Sequence, residues 1–164
     1  MSFEGARIVV DTCVWIDNYF ADKADEGHTR EFLRVAQAQG AQLLFAVHAA
    51  KDVLYILTQK FKIAARISQG SIDDSVAQAA YETALACTRN MYELATAVAA
   101  DVSDIWIADK YLRIHNDFED NLVLAACKRS KADYLVTTDQ SLIAHADVLA
   151  KTPAEMLSLM ALEF

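Results

Sequence analysis

The chain has 164 residues, 54% of them hydrophobic and 23% charged, with only four Gly and one Pro. That is enough apolar material for one domain with a full core, and too little punctuation for a disordered, collagen-like or repeat-and-linker protein. A formal charge of −8 excludes nucleic-acid binding through a general basic field, so any polyanion must be held locally. Cys13, Cys87 and Cys127 are odd in number and lack CxxC spacing, which predicts reduced thiols, no zinc site and a cytoplasmic setting. The opening MSFEGARIVVD is not a leader by pattern, and no apolar run approaches the roughly 20 residues of a membrane span.

In chain order, Arg7 to Val10 is a β-branched run that stops at Asp11-Thr12, the pattern of a buried strand with a polar carboxyl end. Residues 29–39 carry Phe32, Leu33 and Ala36 at helical spacing, with Gly40 as a stop. Leu43 to Val47 predicts strand two. Val53, Leu57 and Phe61 then form one stripe, Ser68 to Ser71 interrupt it, and Ile72, Val76, Ala80, Cys87 and Met91 resume it. Two long helices joined by a tight turn follow from that pattern. Ala95 to Ala100 suits a short strand or a helix end equally. Ser103 is expected to cap a helix reaching about His115, and another helix is expected from about Phe118 to Ser130. Tyr134 to Thr138 repeats the apolar run ending in an acid, Asp139, and Pro153 suits the first turn of a closing helix. Strands alternating with helices predict a parallel sheet covered on both faces, in a single domain over residues 1–164.

Functional groups of an open parallel sheet gather beyond the carboxyl ends of its strands. Asp11 and Asp139 stand at two such ends. Between them, Asp117, Asp120 and Asn121 share a helical stripe with 124 and 128, while Phe118, Leu122 and Ala125 form a second stripe suited to the core. Helix capping explains one or two of these acids, but not two strand-end aspartates pointing the same way. Asp52, early in the helix after strand two, reads by position as facing solvent. Carboxylates converging in one small volume would raise one another's pKa values unless a divalent cation intervened, and an all-oxygen ligand set suits Mg²⁺ or Mn²⁺. Such a centre favours hydrolytic phosphoryl chemistry. Lys51, Lys60, Lys62 and Arg66, with Lys128, Arg129 and Lys131, either steer a phosphate backbone or form a solvated face.

The order RIVVDT, an acid early in the helix after strand two, DFEDNLVLAACKRSKADYLVTTD and a final TPAE resembles the PIN-domain family of metal-dependent ribonucleases over nearly the whole chain. The resemblance implies a three-layer α/β/α sandwich with a central parallel sheet and an α-hairpin between strands two and three. It implies catalytic or metal-binding roles for Asp11, Asp120 and Asp139, with Asp117 as an auxiliary acid. Asp52 stands where the family usually has Glu, one methylene longer. Thr12 and Thr137 would support the pocket by hydrogen bonds; Asn121, which shares the acidic stripe, stands where many relatives carry a small residue. Many bacterial members resemble VapC toxins, which implies an RNA substrate, an antitoxin partner and a homodimer. A rival reading keeps the fold as a catalytically weak module that binds RNA or protein, and a third is a DNA-directed nuclease. His28, His48, His115 and His145 have no paired metal spacing and are read as surface or satisfied polar residues, and Cys13, two residues after Asp11, is read as a small buried apolar residue in preference to a pocket residue.

Overall fold

The strands of the sheet are β1 (Arg7–Val10), β2 (Gln42–Ala46), β3 (Thr96–Val98), β4 (Tyr134–Val136) and β5 (Leu149–Lys151). In the computed structural model, which describes residues 3–20 and 27–162, they lie in the order β3-β2-β1-β4-β5 and every pairing is parallel. The helices are α1 (Thr12–Tyr19), α2 (His28–Ala38), α3 (Ala49–Gln69), α4 (Asp74–Leu94), α5 (Val102–Tyr111), α6 (Phe118–Ser130), α7 (Gln140–His145) and α8 (Pro153–Ala161).

Alternation along a strand sends successive side chains to opposite faces, and β1 feeds two separate cores in this way. Ile8 and Val10 join Trp15, Phe32, Phe45, Leu57, Met91 and Met156 on the face covered by α1, α2, α3, α4 and α8. Val9 joins Leu44, Val123, Leu124, Leu135 and Leu142 on the face covered by α6 and α7. The three-layer sandwich expected from the sequence is thereby present, and α3 packs on α4 between β2 and β3 as the expected hairpin. Gly70, at φ 79°, ends α3 in the left-handed region that other residues adopt only with strain. Trp15 is fully buried under this sheet and satisfies its ring by donating Nε1–H to the Val10 carbonyl at 3.2 Å.

Three sequence expectations change. The cap of α5 is Asp101 instead of Ser103: the Asp101 carboxylate accepts the Ser103 amide, and the Asp104 carboxylate accepts the Asp101 amide at 2.6 Å. This reciprocal box outcompetes a serine cap because both acids are charged acceptors at a helix amino end. The helix also stops at Tyr111 and not near His115, since the Tyr111 carbonyl accepts both the Ile114 and His115 amides and closes a tight turn. On α6, Ala125 is buried, Leu122 is half-buried and Phe118 is 40% exposed, so the predicted second core stripe is lost at its first residue. The α6 residues that enter the core are Val123, Leu124 and Cys127, which face the sheet.

Candidate functional site

Because β1 connects to β2 on one side and pairs with β4 on the other, a crevice opens beyond the carboxyl ends of β1 and β4. Three helices begin there, and an aspartate caps each one. Asp11 caps α1, Asp117 caps α6 and Asp139 caps α7. Amide donors and helix dipoles at these ends favour the ionised carboxylate, so the fold gathers negative charge without assistance from basic side chains.

Asp11 is 8% exposed. Its Oδ1 accepts the Thr12 amide at 2.6 Å, and its Oδ2 accepts the Thr137 hydroxyl at 2.7 Å and the Cys13 thiol at 3.3 Å. Thr137, wholly buried, in turn accepts the Asp139 amide at 3.1 Å, so one hydroxyl ties the end of β1 to the start of α7. Burial, followed by the charge of Asp11, pushes the Cys13 thiol up to about 11, which keeps it a proton donor. Asp139 is exposed, and its Oδ1 accepts the Ser141 and Leu142 amides at 2.7 and 3.1 Å.

On α6, Asp117 spends Oδ1 on the Glu119 and Asp120 amides, at 3.0 and 3.2 Å. Asp120 is half-buried and accepts from His115 Nε2 at 2.8 Å. Burial raises its pKa, the His115 hydrogen bond opposes that, and repulsion from Asp117, Asp11 and Asp139 adds to it. Those four carboxylates therefore share one electrostatic neighbourhood, and among the described residues none of them has a lysine or arginine partner. Asn121 departs from the stripe: it is wholly buried and donates Nδ2–H to the His115 carbonyl at 2.9 Å.

Asp52 is half-buried rather than free in solvent, and it lies 3.1 Å from Lys51 Nζ. It is not among the charges that act on Asp120. Its neighbour is His48, whose pKa burial lowers while Asp52, Asp11 and Glu119 act in the opposite direction, leaving a neutral ring at pH 7. Asp11 thus borders two groups of acids, one with Asp117, Asp120 and Asp139, the other with Asp52 and Glu119. His48 also lines a largely apolar cavity of about 310 Å³ with Val47, Val98, Ile105 and Leu122, whose acidic lining is Asp101 and Asp104 and none of the acids above.

The basic residues scatter. Lys60, Lys62 and Arg66 follow Asp52 along α3 by roughly 12 to 21 Å of helix rise, and Lys60 sits 5.2 Å over the Phe20 ring. Lys128 lies 3.8 Å from Asp147. Arg129 is spent inside the protein: Nη1 donates to Asp104 Oδ2 at 2.5 Å and to the Ala99 carbonyl at 2.8 Å, and Nη2 donates to Asp101 Oδ2 at 2.7 Å. Sequence reasoning missed His48, His115 and Glu119 because nothing in their spacing marks them. Only the turn after α5 and the first turns of α3 and α6 bring them to the acids.

Hard carboxylate oxygens with mutual repulsion are the donor chemistry of a Mg²⁺ or Mn²⁺ site. Among the described residues, no three His, Cys, Asp or Glu side chains close on one point tightly enough to cage an ion. The arrangement fits an ion held by one or two carboxylates, with water and substrate oxygens completing its shell.

A family model described as PIN domain matches residues 7–141. Among solved structures, the chain is similar to VapC20 of Mycobacterium tuberculosis, a sarcin-ricin loop cleaving toxin, at 15% identity and TM-score 0.59, covering 87% of this chain and 97% of that one. It is similar also to PAE2754 from Pyrobaculum aerophilum, at 15% identity and TM-score 0.54, covering 97% and 99%. No curated protein matches by sequence.

Proposed function

The chain belongs to the PIN-domain family, and from that premise we propose that it is a Mg²⁺- or Mn²⁺-dependent endoribonuclease that hydrolyses RNA phosphodiester bonds. The observation that carries this reading is the approach of Asp11, Asp117 and Asp139 to the half-buried Asp120, whose charge they oppose, with no lysine or arginine partner among the described residues. Asp120 and one of Asp11 and Asp139 would hold the ion directly and the other through water, with Asp117 as an auxiliary acid through its remaining oxygen. The bound ion would supply Lewis-acid polarisation of the phosphate and a more acidic water.

The chain's own groups do the positioning. Thr137 and the Thr12 amide fix both oxygens of Asp11, and Thr137 carries the same constraint to Asp139. Asp52, paired with Lys51, replaces the longer Glu of the family pattern and would act from farther off, through water. Lys60, Lys62, Arg66 and Lys128 would meet the strand away from the reacting phosphate, Lys60 and Lys128 only after leaving their present partners. The likeness to a VapC toxin supports a role as the toxin of a toxin-antitoxin pair, with an antitoxin protein as partner, a homodimer as the working form and the cytoplasm as its place. Among the described residues, no helix is long and apolar enough to cross a membrane.

The test is a Mn²⁺ titration of the full chain against single-stranded RNA. Mn²⁺ is expected to raise Tm and to switch on cleavage. Asp11→Asn and Asp139→Asn should each lose more than the ~10–100-fold typical of an outer partner of a metal site. Stabilisation by Mn²⁺ without cleavage would favour the binding module instead, and preference for structured DNA would favour a DNA nuclease.

A further inference from the structure

Asp120 sits in the first turn of α6, on the least rigid kind of position, and yet its carboxylate direction is fixed. The constraint comes from outside the helix. His115 is 8% exposed and belongs to the turn between α5 and α6, and its Nε2 meets Asp120 Oδ2 at 2.8 Å. The turn is itself braced, because the His115 amide donates to the Tyr111 carbonyl at 2.9 Å and the His115 carbonyl accepts from the buried Asn121 at 2.9 Å. The ring is then stacked on His145, with centroids 5.0 Å apart and planes 25° from parallel. His145 is the last residue of α7, and its Nδ1 donates to the Ser141 carbonyl at 2.7 Å. Since Asp139 caps that same helix, the two imidazoles join the element carrying Asp139 to the side chain of Asp120.

We propose that His115 is a positioning residue that aims Asp120 at a divalent cation, and that the stacked His145 ring holds His115 in register with the helix capped by Asp139. This rests on the nuclease reading above. A hydrogen bond from Nε2 to Oδ2 fixes the carboxylate plane and would leave Oδ1 available to an ion. Ligating carboxylates held this way lose less rotamer freedom on binding metal. No proton leaves or joins His115 in this role.

The experiment measures the Mn²⁺ dissociation constant of the full chain, by water-proton relaxation or calorimetry, alongside urea unfolding. His115→Ala should weaken Mn²⁺ binding by about 10–100-fold. His115→Gln, which can present an N–H near the Nε2 position, should recover most of that affinity. His145→Phe should bind like the wild type, whereas His145→Ala should fall between it and His115→Ala. Unchanged Mn²⁺ affinity in His115→Ala would overturn the inference while leaving the nuclease reading intact. Equal weakening in the Ala and Gln variants, tracking their loss of stability, would also overturn it, by making the histidine merely structural. A wild-type chain that neither binds Mn²⁺ nor cleaves RNA would overturn both.

Discussion

Two acidic clusters lie at the same end of the sheet, and they have opposite characters. At the start of α5, Asp101 and Asp104 are bridged by Arg129, whose guanidinium donates to both carboxylates and to the Ala99 carbonyl. At the ends of β1 and β4, Asp11, Asp117, Asp120 and Asp139 are satisfied by amides, hydroxyls, a thiol and an imidazole, with no lysine or arginine among the described residues. Acidic residues near a helix start are thus not themselves the mark of a site. The difference is who supplies the positive charge: the first cluster carries its own in Arg129, and the second has no lysine or arginine partner among the described residues.

Removing the internal cation should produce the larger structural effect. Arg129→Ala leaves the buried Asp104 carboxylate without its partner and should cost about 2–3 kcal/mol, below the ~3–5 of a fully buried pair because Asp101 is half-exposed. Calorimetry should record a Tm lower by about 5–10 °C, with the response to Mn²⁺ unchanged. A loss of Mn²⁺ response in a folded Arg129→Ala protein would erase the distinction between the clusters.

At the second cluster the sign reverses. Without added metal, Asp120→Asn relieves burial of a charge and repulsion from three carboxylates, so Tm at neutral pH should rise. The rise should be about 1–2 °C, kept small because water screens a half-exposed group. Its pKa is higher in the folded chain than in the unfolded one. The contribution of Asp120 is therefore intact below the unfolded value near 3.9 and is lost as pH climbs through the folded value. The advantage of Asn should accordingly vanish in acid and grow toward pH 7, and adding Mn²⁺ should favour the wild type instead. A fall in Tm at neutral pH without metal would contradict the account.

The smallest effects belong to the helix that carries the scattered cations. Lys60→Ala, Lys62→Ala and Arg66→Ala should each alter the KM for RNA by only about 2–3-fold, with a salt dependence shallower by no more than the ~0.7 of one single-strand phosphate contact. A change in kcat in any of them would bring α3 closer to the chemistry than its geometry allows.

Much of this was readable beforehand, for physical reasons. β1 and α6 start and stop where the sequence indicates, since an acid marks a change of hydrophobic pattern at one end of each, Asp11 after β1 and Asp117 before α6. The α3–α4 hairpin was legible because Val53 and Leu57 in α3, and Ala80 and Met91 in α4, keep helical spacing on either side of the Ser68 to Ser71 break. The short α1 and α7, at eight and six residues, are too brief to establish a period, and β5, at three residues, is an edge strand whose apolar stretch is too short to mark it. For the candidate site, the strand-end acids could be named because topology alone sends them to one crevice. His48, His115 and Glu119 could not, because their arrival depends on where particular turns close.

Asp11, Asp117 and Asp139 each terminate a helix as well as face the crevice. On the nuclease reading proposed above, chemistry and folding draw on the same atoms here. Alanine at any of them deletes an acceptor worth about 1 kcal/mol to its helix together with the charge, whereas asparagine keeps the acceptor and deletes the charge alone. An alanine scan of this protein would confuse unfolding with inactivation, and drift that abolished turnover through alanine would also loosen the scaffold, whereas drift through asparagine would leave an inert but well-folded descendant.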